Sequence, residues 1–225
     1  MARGTGGAPG RHAALRESLV DHGRRMVHDG LVDGVSGNLS ARAGDLIAIT
    51  PSGVPYQDMA PADICLVRPT DESTAAGGRP STETPMHLAV YRATDAAAIV
   101  HTHSPFVVAL STVLDELPAV HYAMAGLGGP VRVTPYARFG TQELADGAVA
   151  ALAGRTAVIL RNHGALAYGA SLGQAYDRAR TLEWLARVYW HARLAGSPRT
   201  LTVSQLDEVR EVTSAIRYGE PGPQP

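Results

Sequence analysis

His101 and His103 stand one residue apart in the run Ile99-Val100-His101-Thr102-His103. Alternate residues of a strand point the same way, so a strand here turns both imidazoles toward one cavity. Two such ligands do not make a metal site. A third candidate is His163, in Asn162-His163-Gly164 directly after the apolar segment Ala157 to Leu160. Neutral imidazoles held on rigid strand ends, with a further position left open, are the donor set of a catalytic zinc site. The plainer alternative is three ordinary histidines, some buried and hydrogen-bonded, some solvated.

Pro80-Ser81-Thr82-Glu83 precedes a segment that carries His87. If that segment is a helix, the hydroxyls and amides at its start suit an anion, and phosphate is the natural guest. Glu83 is either a solvated acid of the first turn or a general base turned toward the metal. His87 falls on the same helical face one turn later and is given only a structural role. Ser36-Gly37-Asn38-Leu39-Ser40 and Thr50-Pro51-Ser52-Gly53 are two further polar turns that either complete an anion cradle or are plain turns.

The elements that position these residues follow from periodicity. Leu15, Leu19, Met26, Val27 and Leu31 have helical spacing, ended by Gly30 and Gly34; a turn-rich segment comes next. Strands are expected at 45–50 and 64–67, a polar surface loop at 70–80, and a helix at 84–93 with Pro85 in its first turn. Strands at 99–101, 131–134, 157–160 and 165–168 alternate with helices at 106–112, 144–152 and 172–194, and a last helix covers 203–217. Several connections are too short for parallel crossovers, so the expected fold is a single α/β domain with a largely antiparallel or mixed sheet covered by helices. The domain is placed at 13–218, between a disordered N-terminal segment (1–12) and a flexible tail (219–225).

The 20 basic residues are all arginine, and the chain contains no lysine. A Schiff-base aldolase, a pyridoxal-phosphate enzyme and a Walker-type phosphate loop are excluded, since each needs a lysine amine. The 21 acidic residues nearly balance the arginines, which leaves no electrostatic footprint for nucleic acid or an anionic membrane. No apolar run reaches the roughly 20 residues that span a bilayer, and the first dozen residues do not read as a secretory leader, so a cytoplasmic location is expected. Cys65, the single cysteine, reads as a small buried thiol.

In this order the motifs SGNLS at Ser36, ITPSGVPY at Ile49, PSTE at Pro80, VHTH at Val100, LPAVHY at Leu117, PYARFGT at Pro135 and RNHG at Arg161 resemble the class II aldolase/adducin family, most closely its L-fuculose-1-phosphate aldolase branch. The resemblance implies a three-layer α/β/α fold with an antiparallel central sheet, assembled as a homotetramer with active sites between subunits. It implies one zinc, or another divalent ion, per subunit on His101, His103 and His163, with Glu83 as a fourth ligand that leaves to act as acid and base. Phosphate binding falls to Gly37, Asn38, Ser52, Gly53, Ser81 and Thr82. Tyr122 would protonate the aldehyde oxygen, Phe139 would wall the aldehyde pocket, and Tyr218 would match a mobile C-terminal tyrosine. Two departures, Thr82 where a second serine is usual and Ser52 where threonine is common, keep the hydroxyl.

The implied reaction is cleavage of a ketose 1-phosphate of the L-fuculose type to dihydroxyacetone phosphate and a small aldehyde such as L-lactaldehyde, through a metal-stabilised enediolate. Alternatives within the family are a 5-deoxyribulose-1-phosphate aldolase, an L-ribulose-5-phosphate 4-epimerase, a methylthioribulose-1-phosphate dehydratase and a non-catalytic adducin-like module.

Overall fold

The computed structural model describes residues 8–215. Helix α1 (Ala8–His28) leads into the hairpin β1 (Asn38–Ala43) and β2 (Leu46–Ile49), followed by β3 (Cys65–Val67) and β4 (Thr74–Ala76). Helix α2 (Thr84–Ala93), strand β5 (Ala98–Thr102) and helix α3 (Pro105–Ser111) come next, then the short β6 (Glu116–Leu117), a 3₁₀ turn at Tyr122–Leu127 and β7 (Val131–Arg132). The chain continues through α4 (Gln142–Ala151), β8 (Ala157–Leu160), β9 (Gly164–Gly169), α5 (Leu172–Ala195) and α6 (Val203–Ala215).

Seven strands form one sheet in the order β4-β3-β2-β1-β5-β9-β8, and β6 and β7 form a separate ribbon. All the paired strands are antiparallel. β5 lies in the interior of the sheet between β1 and β9 and is buried at every position, which explains why it reads as a continuous apolar run rather than an alternating one. Its even-numbered residues, Ala98 and Val100, face a core shared with Leu39, Ala165 and Ala167 and residues of α1, α3 and α5. Ile99 faces the second core, with Leu166, Val158 and Leu160 and residues of α2 and α4. Helices therefore cover both faces of the sheet, giving the three-layer α/β/α arrangement expected from the sequence.

Three sequence-based expectations are corrected. The turn-rich segment after α1 holds β1, a central strand, because Asn38 and Ser40 present a buried polar face that packs on α2, continued by the exposed Arg42, which donates to Tyr91 O. The loop expected at 70–80 contains β4, a short exposed edge strand. Helix α1 begins at Ala8, with Pro9 in its first turn, where no amide partner is needed. The strand expected at 131–134 stops at Arg132. Residues 1–7, the tail 219–225 and Tyr218 lie outside the described residues.

Candidate metal centre

His101 sits on β5, and His103 follows one residue beyond its end, so both rings leave the sheet on the side of Ile99 and α2. The backbone N–H of His103 donates to Leu31 O at 3.0 Å, which fixes the chain as it leaves the strand. His163 lies in the turn between β8 and β9. Asn162 before it adopts a left-handed conformation (φ 54°), which asparagine tolerates better than most residues, and its N–H donates to Ser111 Oγ at 2.9 Å. Gly164 after it packs so closely on β5 that a Cβ would lie 2.0 Å from Thr102 O. This close approach brings the His163 ring beside those of His101 and His103, with centroids 4.9 and 4.8 Å away. Glu83, at the N-terminus of α2, comes from the opposite layer.

The ligand atoms of Glu83, His101, His103 and His163 all lie within 4.8 Å of one another. Glu83 Oε2 is 2.9 Å from His101 Nε2, and Oε1 is 3.2 Å from His163 Nε2. His103 Nε2 is 2.9 Å from His101 Nε2.

These contacts fit a cation. His101 Nδ1 lies 2.9 Å from Ala165 O and must donate to it, because a carbonyl only accepts; in the neutral ring this leaves the lone pair on Nε2. That lone pair faces a carboxylate oxygen and a second imidazole nitrogen, three electron-rich atoms that repel unless a proton or a metal ion lies among them. Glu83 Oε1 is buried without an aligned hydrogen-bond donor, with His163 Nε2 3.2 Å away.

The electrostatics run the same way. Burial would raise the Glu83 carboxyl, but His101 and His163 outweigh it and hold the group far below the usual carboxylate range, hence ionised. Burial and the neighbouring His101 and His163 push His103 down to about 3, so its ring is neutral and free to ligate. His101 is raised despite its burial, because Glu83 stands against it.

Three polar turns border this cluster. Thr50 N–H donates to Leu39 O, and Leu39 N–H donates to Thr50 Oγ1, which ties the residue that precedes the Pro51-Ser52-Gly53 turn to β1. A bridge between Pro51 and Pro80 then places Ser81 and Thr82 alongside. Gly37 has φ +71°, and a Cβ there would lie 2.6 Å from His101 O, so only glycine lets this turn rest on the histidine strand. Gly140 approaches the same rim, since a Cβ on it would come within 3.1 Å of Thr82 O, while its neighbour Phe139 is 56% exposed.

Several of the groups expected to bind an anion already have partners. Ser52 N–H donates to Arg79 O, Ser81 N–H to Thr50 O, and Ser81 Oγ accepts from Glu83 N–H. Asn38 Nδ2 donates to Glu83 Oε2 at 2.9 Å, so this side chain orients the carboxylate. Tyr56, part of the ITPSGVPY motif but not singled out from it, is a second anchor. Its buried hydroxyl donates toward Ser36 O and Gly37 O and holds the first turn from behind.

Tyr122 is not brought to the cluster within one chain. It is 54% exposed in the 3₁₀ turn and lines an open groove of about 740 Å³ with Asp177, Thr181, Val209 and Thr213 of α5 and α6.

With this geometry in view, the chain matches over residues 17–190 the family described as the class II aldolase and adducin N-terminal domain. The chain belongs to the class II aldolase and adducin family. Among its relatives is a 5-methylthioribulose-1-phosphate/5-deoxyribulose-1-phosphate aldolase of Rhodospirillum rubrum, 40% identical over 90% of this chain and 92% of that protein. A 5-deoxy-D-ribulose 1-phosphate aldolase of Bacillus thuringiensis is 37% identical over 86% and 92%. The L-fuculose phosphate aldolase of Escherichia coli K12 is 36% identical over 78% and 82%. A solved structure of an L-fuculose 1-phosphate aldolase superposes with a TM-score of 0.86 at 36% identity, covering 89% of this chain and 96% of that one. The chain is an enzyme of the class II aldolase type, a metal-dependent aldehyde-lyase.

Proposed function

We propose that the protein is a zinc-dependent aldolase that cleaves a ketose 1-phosphate to dihydroxyacetone phosphate and a short aldehyde. The observation that carries this reading is the convergence of three neutral-capable imidazoles and one carboxylate, with a hydroxyl-rich rim beside them. His101, His103, His163 and Glu83 would hold the ion. When bound, it supplies Lewis-acid stabilisation for the negative charge that develops on the substrate's C2 and C3 oxygens as C3–C4 breaks.

The chain's own groups divide the remaining work. Gly37, Asn38, Ser52, Gly53, Ser81 and Thr82 are the rim that takes the phosphate, which directs the C2–C3 end of the sugar toward the cluster. Glu83 Oε1, buried and without an aligned donor, handles the proton at C3: the carboxylate takes up a proton from solvent and delivers it to C3 after the bond breaks. Tyr122 handles the proton on the C4 oxygen, which becomes the aldehyde, and Phe139 closes the wall around that end. Tyr122 lines the groove along α5 and α6 rather than the cluster of its own chain, and in this reading it acts at a neighbouring subunit's site in a homotetramer. Tyr218, outside the described residues, is assigned a supporting catalytic role. The enzyme acts in the cytoplasm on a free sugar phosphate; no helix among the described residues is long and apolar enough to cross a membrane.

Two ketoses fit this reading. L-fuculose 1-phosphate, which yields lactaldehyde, is supported by the superposed fuculose enzyme. 5-Deoxyribulose 1-phosphate, which yields acetaldehyde, is supported by the 40% and 37% identical relatives named for it. Supplying each sugar to zinc-loaded protein and following dihydroxyacetone phosphate tests both. Release from neither, with the metal in place, points to epimerase or dehydratase chemistry on the same site.

A further inference from the structure

Beneath the metal cluster, β1 and α2 are joined by polar contacts that repeat with the periods of the two elements. Asn38 Nδ2 donates to Glu83 Oε2 at 2.9 Å. Two residues along the strand, Ser40 Oγ lies 2.7 Å from His87 Nδ1 and 2.9 Å from the Tyr91 hydroxyl. Two further on, Arg42 donates from Nη2 to Tyr91 O and from Nε to Ala96 O, both at 2.8 Å, with its guanidinium over the Tyr91 ring. Residues 38, 40 and 42 advance about 6.8 Å per step along the strand, and 83, 87 and 91 about 6 Å per step along the helix. The two spacings nearly match, so three rungs fit between one strand and one helix.

The first two rungs lie in a buried layer, whereas Arg42 of the third is exposed. Ser40 and His87 have no exposed surface, Asn38 has 3% and Tyr91 4%. His87 Nε2 and Asn38 Oδ1 find no partner, and a buried polar atom left so is destabilising. A leucine and an alanine at the middle rung would pack β1 on α2 without that cost. What an apolar pair would lack is a fixed register. The same strand pairs Asn38 with His101, so any slide of α2 along β1 moves the Glu83 carboxylate directly against the histidines.

We propose that Ser40 and His87 are positioning residues that lock α2 to β1 and thereby set the place of the Glu83 carboxylate among His101, His103 and His163. This rests on the metal-site reading above. His87→Leu removes the rung, and His87→Asn keeps a polar atom near the Nδ1 position. Each variant would be stripped of metal, titrated with cobalt(II), and measured for its visible cobalt spectrum, for cobalt retention against a chelator, and for kcat and KM after loading.

His87→Leu is expected to shift the cobalt bands and to lose about 10- to 100-fold in cobalt affinity or kcat. KM for the ketose phosphate should stay within about twofold, since the phosphate rim is untouched. His87→Asn should recover most of the loss. If His87→Leu does not fold, Ser40→Ala, a smaller truncation of the same rung, is read in the same way. A folded variant with wild-type cobalt spectrum, affinity and kcat overturns the proposal, whatever happens to its melting temperature. Wild-type protein that takes up no cobalt would remove the metal-site reading and this inference with it.

Discussion

At the residue scale, Glu83 bears the heaviest demand. Its carboxylate is buried, ionised by the neighbouring imidazoles and oriented by Asn38, and one of its oxygens is left without an aligned donor. A group whose work is proton transfer should be replaceable in shape but not in function. Glu83→Gln is therefore expected to keep the fold and to lower kcat by about 10²- to 10⁴-fold; wild-type turnover would remove Glu83 from the mechanism. Asn38→Ala leaves the carboxylate in place but frees it to rotate, with an expected loss of about 10- to 100-fold in activity or metal affinity. Unchanged kinetics and metal retention in that variant would show that the hydrogen bond does not orient Glu83.

Much of this cluster was legible in the sequence. The His-x-His spacing in an apolar run requires both rings on one face, and a histidine followed by glycine at the next strand end supplies the third. Glu83 was harder, because an acid in a first helical turn is usually solvated; its inward turn depends on Asn38, a contact across 45 residues that no local pattern encodes. His87 shows the same blindness. Its helical position was clear, but a fully buried histidine bonded to Ser40 depends on the pairing of β1 with α2.

At the element scale, the site depends on how closely β9 approaches β5. A side chain on Gly164 would collide with Thr102 O on the neighbouring strand, and neither backbone can move without breaking the pairing of Thr102 with Ala165. Gly164→Ala is expected to cost at least ~3 kcal/mol in urea unfolding and to weaken metal retention, as His163 moves away. A variant of wild-type stability would mean that the two strands are free to separate. The long elements were the most legible: α2 begins and ends at the expected residues, and α5 departs by one residue at its end. β1 was missed because its alanines and serine give weak strand propensity and its polar face suggests turns.

At the scale of the whole molecule, two properties follow. The first is acid sensitivity. Burial holds His87 neutral and pushes it down to about 3, against 6.5 for an unperturbed ring. Between those values the unfolded chain binds a proton that the folded chain refuses. The contribution to stability is therefore complete above about pH 6.5 and falls as the pH drops, by up to ~1.4 kcal/mol per pH unit. Urea midpoints of the metal-free protein at pH 7 and pH 5 should differ less for His87→Asn than for the wild type; an equal difference would contradict the assignment. The second property is assembly. If Tyr122 serves a neighbouring subunit, mixed oligomers of inactive Tyr122→Phe and inactive Glu83→Gln chains should regain activity, because some sites then receive an intact residue from each partner. No recovery after unfolding and reassembly together would place Tyr122 outside the reaction or within its own chain's site.

The most direct test joins all three scales in one assay. Zinc-loaded protein, chelator-treated protein and the Glu83→Gln variant are each supplied with L-fuculose 1-phosphate and with 5-deoxyribulose 1-phosphate, and dihydroxyacetone phosphate is followed through a coupled reaction. The account predicts release from at least one sugar by the zinc-loaded wild type alone. Release that survives chelation or the Glu83→Gln substitution, or zinc-replete wild type that cleaves neither sugar, would contradict it.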